Sequence, residues 1–223
     1  MKLFTAHSCF SRYARFGLSH RLAKVAAQSL LATAIVFTGA SAVFLPTKPA
    51  IAAESTIRSV RGFLPDLRFK LSGTNGQTVT ESDLNNKVVL LFFGYANCPD
   101  ICPTTLAQLA MARGLLGEQA EQVQIVFISV DPHRDTPERL KAYVDAFQAD
   151  ALGLTGSEKQ IADVARRYRV AYQIEKPKTD NPNVYEVAHG RGVYIFDQKG
   201  RARFLASDSE SIERLVEKVE ELL

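Results

Sequence analysis

Cys98 and Cys102 stand four positions apart and are the only cysteines after residue 53 of the chain. Two thiols so close can form a disulfide or hold a soft metal ion. A bridge across so short a loop removes little unfolded-chain entropy, so structural stapling explains the pair poorly and chemistry explains it better. Both cysteines precede proline, in Cys98-Pro99 and Cys102-Pro103, and a residue before proline is pushed out of the α region. The pair is therefore expected on a loop, with Pro103 opening the following helix and Cys102 at its N-cap. There the helix dipole and free N–H groups would favour a thiolate and make Cys102 the more acidic thiol.

Two sulfur ligands select copper(I) or zinc among the common metals, and a third donor is wanted. Beyond residue 53 the chain holds two histidines, His133 and His189. A lone histidine is more often a solvated or satisfied polar group than a ligand. His133 lies among charges and reads as solvated. His189 follows a polar, proline-containing stretch from Glu175 to Ala188, of a length that is commonly functional or disordered. It also leads into the apolar strand Gly192 to Phe196. Those two features make it the candidate third ligand.

The elements that must position these groups are legible in outline. Leu67, Phe69 and Leu71 alternate before Gly73-Thr74-Asn75-Gly76, and Thr78 to Thr80 follows, a hairpin signature. Val88 to Phe93 is an apolar run of strand length that ends just before the cysteines, and Val123 to Val130 is a second. Thr104 to Leu116 between them is helical in composition. Thr136-Pro137-Glu138 is a helix start, with Leu140, Tyr143, Val144 and Phe147 on one face. Ile161, Val164, Ala165 and Tyr168 repeat the pattern. Val170 to Ile174 reads as a short strand. Gly192 to Phe196 and Ala202 to Ala206 form a terminal hairpin, and Ile212 to Leu223 an amphipathic helix. The order β-hairpin, β, α, β, α, α, β, β, α, with right-handed βαβ connection, predicts an α/β domain with a mixed central sheet flanked by helices. A cysteine pair between the first buried strand and its helix makes a thioredoxin-like fold with an N-terminal hairpin extension the natural reading.

Charge is unevenly placed. The formal net charge is +3, from 27 basic and 24 acidic groups. Six of the basic groups fall in residues 1–53, which contain no Asp or Glu, so the remainder holds 21 against 24 and carries a net −3. Such a domain has no electrostatic case for nucleic acid. The basic start, the uncharged run Val25 to Thr47 and the small residues Ala50 and Ala52 predict a targeting segment, cleaved after Ala52 or Ala53. The rival is an uncleaved anchor, since Val25 to Leu45 is long enough to cross a bilayer. Either way the domain is expected outside, periplasmic or membrane-anchored facing the periplasm. The expected organisation is a signal peptide or anchor over 1–53, a linker over 54–62 and one domain over 63–223.

Phe92-Phe93-Gly94-Tyr95 followed by Cys98-Pro99-Asp100-Ile101-Cys102-Pro103-Thr104-Thr105-Leu106 resembles the signature of the Sco/SenC family. Ser129-Val130-Asp131-Pro132 with Arg134-Asp135-Thr136-Pro137 is similar to that family's second segment, and His189 with Tyr194 and Asp197 to its third. The resemblance spans about Pro65 to the C-terminus. It implies a thioredoxin-like metallochaperone that matures the dinuclear copper centre of cytochrome c oxidase, with copper(I) or copper(II) bound by Cys98, Cys102 and His189. Implied partners are the oxidase's copper-binding subunit and a thiol reductant. Family members often carry Thr-His before the first cysteine, Asp before the histidine and Ser or Thr after it. Here Ala96-Asn97, Ala188 and Gly190 stand in those places, which spares the ligands but alters their surroundings. The competing function is a thiol–disulfide oxidoreductase using Cys98 and Cys102 as its redox-active pair, although a standard thioredoxin uses C-x-x-C. A redox or copper sensor is a third reading. Asp131, Asp135 and Thr136 are expected only to shape a loop and cap a helix.

Overall fold

The computed structural model describes residues 56–223. The targeting segment expected over 1–53, with Cys9, lies outside the described residues. No helix among the described residues is long and apolar enough to cross a membrane.

Within 54–62, expected as a linker, Arg58–Ser59 form a short strand, β1, that joins the main sheet, and Val60 is buried in the core. The hairpin follows as β2 (Lys70–Gly73) and β3 (Thr78–Thr80), closed over Asn75-Gly76 with Gly76 at φ 76°, the left-handed conformation that glycine adopts freely. A 3₁₀ turn, Glu81–Leu84, leads to β4 (Val88–Gly94), buried at every position as its unbroken apolar run requires. Helix α1 (Ile101–Leu115) crosses over to β5 (Val123–Ser129), which lies parallel to β4 in register Val88↔Val123 to Gly94↔Ser129. Helix α2 (Pro137–Asp145) starts where its sequence signals place it: the Thr136 hydroxyl accepts from the Arg139 N–H and Pro137 takes the first helical position. Then come β6 (Leu152–Thr155), α3 (Glu158–Arg167), β7 (Tyr172–Ile174), β8 (Val187–His189), β9 (Val193–Phe196), β10 (Ala202–Ala206) and α4 (Ile212–Glu220).

Eight strands form one mixed sheet in the order β1-β10-β9-β4-β5-β6-β2-β3. Its centre is parallel (β4, β5, β6), and antiparallel pairs extend it on both sides. The core is the inner strands with their flanking helices: Leu90, Leu91, Phe127, Ile128 and Ile195 are sealed from solvent beside Leu106, Leu109 and Leu140. Each such side chain contributes about 1.5–3 kcal/mol by leaving water. The thioredoxin-like α/β reading holds, including the hairpin at one edge.

Three local expectations change. β6 carries no clear strand signal, because Leu152-Gly153-Leu154-Thr155 is short and interrupted by glycine; pairing with β5 on one side and β2 on the other makes it a strand. β7 does not join the main sheet but pairs with β8 in a separate two-stranded ribbon, Tyr172↔His189 to Ile174↔Val187. The polar stretch expected as loop to Ala188 therefore ends at Glu186, and His189 is itself a strand residue.

Candidate metal centre

The sheet topology explains why three sequence-distant segments meet. β4 and β5 run in parallel and finish together at Gly94 and Ser129. β9 runs the other way, so its first residue, Val193, lies opposite Phe92 at that same end. The segment after β4 carries the cysteines, the segment after β5 carries Asp131 to Asp135, and the segment before β9 carries His189. All three are thus gathered at one end of the sheet. Asp197 directly follows β9 and so lies at the other end, where it accepts the backbone N–H groups of Lys199 and Arg201, both at 3.0 Å, and pairs with Arg201 and Arg203. Tyr194 is buried, its hydroxyl donating to the Tyr168 carbonyl at 3.1 Å. These two members of the third segment are structural.

Cys98, Cys102 and His189 come together, with Sγ, Sγ and an imidazole nitrogen all within 4.8 Å of one another. Both cysteines are free thiols. Cys102 is 1% exposed, and its sulfur lies 3.4 Å from His189 Nε2. The other ring nitrogen, Nδ1, is 2.9 Å from the Gly190 carbonyl. A carbonyl only accepts, so Nδ1 carries a proton, and Nε2 is the ring nitrogen that faces the sulfurs. The orienting role that a neighbouring side chain would fill is thus taken by the backbone of Gly190. Tyr95, 4% exposed, sets its ring edge-on to His189 with centroids 5.9 Å apart, covering one side of the cluster. His133 is placed elsewhere, half-exposed beside Glu158 at 3.3 Å.

The acidic thiol is not the expected one. Helix α1 begins at Ile101 with Asp100 as N-cap, so Cys102 lies inside the first turn rather than capping it. Pro103 is tolerated because a first-turn nitrogen has no intrahelical carbonyl to bond. The sulfur that meets the free helix N–H groups is that of Cys98, which receives the Cys102 N–H at 3.5 Å. Partial burial pushes against its ionisation, but the backbone N–H groups of Asp100, Cys102 and Ile101 converge on the sulfur and hold Cys98 below the usual thiol range. Burial pushes the Cys102 thiol far up, against a weaker opposing bond from the Tyr95 backbone. Gly94 makes that burial possible: a Cβ there would lie 2.6 Å from Phe127 Cε2 and 2.7 Å from Cys102 Sγ.

Sequence reasoning missed the polar framework behind the cluster. Asp131 and Asp135 are sealed from solvent and do more than shape a turn. Asp135 Oδ2 accepts from the Ser129 hydroxyl at 2.6 Å and from the Ala96 N–H at 2.9 Å, fastening the cysteine loop to the end of β5. Burial raises its pKa, the bonds from Ser129 and Ala96 opposing. Asp131 pairs with the buried Arg134 and accepts from the Tyr185 hydroxyl at 2.8 Å. The framework's signals in the sequence were an arginine between two acids just after a buried strand, and the likeness of that stretch to the family's second segment. Asn97, directly before Cys98, accepts from Arg139 at 2.7 Å.

Metal bonds of about 2.0–2.3 Å, as thiolates and imidazoles make to zinc, put three donors around one ion at mutual separations of about 3.5–4 Å. The observed cluster needs only a small closure to meet that, and its S₂N chemistry is soft.

Comparison with known proteins agrees with this geometry. Residues 64–223 match the sequence profile of the SCO1/SenC family. The SCO2-like protein RC0895 of Rickettsia conorii is 37% identical over 133 residues, 60% of this chain and 64% of that protein. The chain thus spans somewhat less than two thirds of that relative. Bradyrhizobium japonicum ScoI, solved with copper bound, superposes with a TM-score of 0.64 at 34% identity, covering 71% of this chain and 99% of that one. Apo Sco1 of Thermus thermophilus gives 0.66 at 37% identity, covering 77% and 99%.

Proposed function

Because this chain belongs to the SCO1/SenC family, we propose that it is an exported copper carrier that matures the dinuclear copper centre of cytochrome c oxidase. Cys98, Cys102 and His189 hold the cargo. The observation that carries the reading is the convergence of two thiols and one imidazole nitrogen within 4.8 Å at the end of the sheet. Copper(I) suits this set, since soft thiolates and imidazole bind it in preference to the hard cations.

The two sulfurs suit a cargo that must be both held and given up. Cys98, only partly buried and with its thiolate favoured by helix N–H groups, is the sulfur an incoming acceptor thiol can replace first. Cys102 and His189, packed behind it and against Tyr95, keep hold until the acceptor supplies its own donors. The acceptor is the oxidase's copper-binding subunit, and a thiol reductant keeps the pair open for loading. Residues 1–53 would serve as signal peptide or membrane anchor, leaving the domain, which takes in β1 and Val60 of the stretch expected as linker, facing the periplasm; bacterial relatives that include a Bacillus anthracis family lipoprotein support that placement. Thiol–disulfide exchange by Cys98 and Cys102 is the second reading, favoured by the same contrast between an acidic, accessible thiol and a buried one.

Copper titration of the reduced and disulfide forms under argon tests the carrier reading. One equivalent should bind per reduced chain and none per oxidised chain. Equal binding by both forms would overturn it.

A further inference from the structure

We propose that Arg134 is a positioning residue for the metal cluster, holding the arm that carries His189 in reach of the two sulfurs. This rests on the reading of Cys98, Cys102 and His189 as copper ligands.

The arm is weakly attached. Positions 176–184 are all exposed, and the loop's own bonds, such as Lys178 to Glu186 at 2.7 Å, tie it only to itself. Among the described residues, the hydrogen bonds that join 175–186 to the body of the domain run to Asp131 and Arg134. One guanidinium nitrogen of Arg134, Nη1, donates to the carbonyls of Asn183 at 3.1 Å and Tyr185 at 2.8 Å. Its plane lies over the Tyr185 ring, 3.5 Å from the centroid, and the Tyr185 hydroxyl closes the circuit on Asp131 Oδ1 at 2.8 Å. On the other side Arg134 faces the Tyr95 ring at 5.6 Å, and Tyr95 is the ring that backs His189. Two residues beyond Tyr185 the chain is buried again at Val187, and two further on stands His189.

A 7%-exposed arginine paired with a fully buried aspartate is a costly way to gain stability, because burying both charges cancels much of their attraction. It is an effective way to fix geometry. The planar fork reaches a carboxylate and two carbonyls while stacking on an aromatic ring, which no other side chain does at once. Arg134 therefore joins the β5–α2 turn, Tyr95 and the histidine arm in one rigid unit.

The test uses Arg134→Lys and Tyr185→Phe, each alone and combined with His189→Ala. Lysine keeps a charge for Asp131 but cannot also span both carbonyls, and phenylalanine removes only the hydroxyl. In metal-free protein, amide exchange over 183–190 should rise about tenfold in Arg134→Lys while the core amides stay protected. Copper(I) affinity, read by chelator competition, should fall about 10- to 100-fold in Arg134→Lys and less in Tyr185→Phe. In the His189→Ala background neither change should lower it further, since the arm no longer supplies a ligand. Unchanged exchange, or an affinity loss that persists without His189, would overturn the proposal. Should Arg134→Lys not fold, Tyr185→Phe carries the same comparison. Absence of copper binding by the unaltered protein would instead count against the carrier reading, and is seen before any variant is made.

Discussion

The thiol side and the histidine side of the cluster are built in opposite ways. Cys102 belongs to the core: it lies in the first turn of α1 against the β4 backbone, sealed from solvent, where even a methyl group added at Gly94 would collide with its sulfur. His189 belongs to a two-stranded ribbon outside the main sheet, at the end of an exposed loop, and is oriented by one carbonyl, one tyrosine ring and the buried Asp131–Arg134 pair. The first half is fixed by hydrophobic packing, the second by a few directional polar contacts. The division means that each half can be disturbed while the other keeps its geometry.

Mutations should separate the two halves. The largest effect is expected from His189→Ala, which should lower copper(I) affinity by about 100-fold or more, beyond the cost of losing an outer partner. Unfolding free energy should change by no more than about 0.5 kcal/mol, as for a residue outside the core, and the Cys98–Cys102 disulfide should still form. Chelator competition and urea unfolding measure both; a large stability loss would mean that the ribbon is part of the core after all. Gly94→Ala should do the reverse, costing about 1–3 kcal/mol of stability by overpacking against Phe127 and Cys102. An unchanged urea midpoint would contradict the rigid thiol side.

A smaller contrast lies within the cysteine pair. Helix N–H groups hold Cys98 below the usual thiol range and burial holds Cys102 above it. As pH rises from acid, Cys98 should therefore ionise first and alkylate at least about tenfold faster than Cys102 near pH 7, since the thiolate is the nucleophile. Mass spectrometry after timed iodoacetamide treatment reads the two sites separately. Faster labelling of Cys102 would put the start of α1 back at Pro103.

How far the sequence could be read follows the same division. Val88 to Phe93, Val123 to Val130 and Thr136-Pro137 announce a core and its helix starts through composition and capping alone, and the cysteines follow from their place at the end of β4. Helix α1 opens at Ile101 rather than Pro103 because the bias of a pre-proline residue is weak in a first turn, where Pro103 has no hydrogen bond to lose. β8 is invisible in sequence because Val187-Ala188-His189 has no apolar alternation and exists only by pairing with β7. Asp131, Arg134, Asp135 and Tyr185 look like surface residues in sequence. Burial at the sheet end turns them into the frame of the site, and pairing of that kind depends on tertiary contacts between residues about fifty positions apart.

The most direct measurement is X-ray absorption at the copper edge of the copper(I)-loaded, reduced protein, alongside His189→Ala. Two sulfur donors and one imidazole nitrogen are expected on a single copper per chain, with the nitrogen contribution gone in the variant. A site of sulfur donors alone in the unaltered protein, or an unchanged nitrogen signal in His189→Ala, would contradict it.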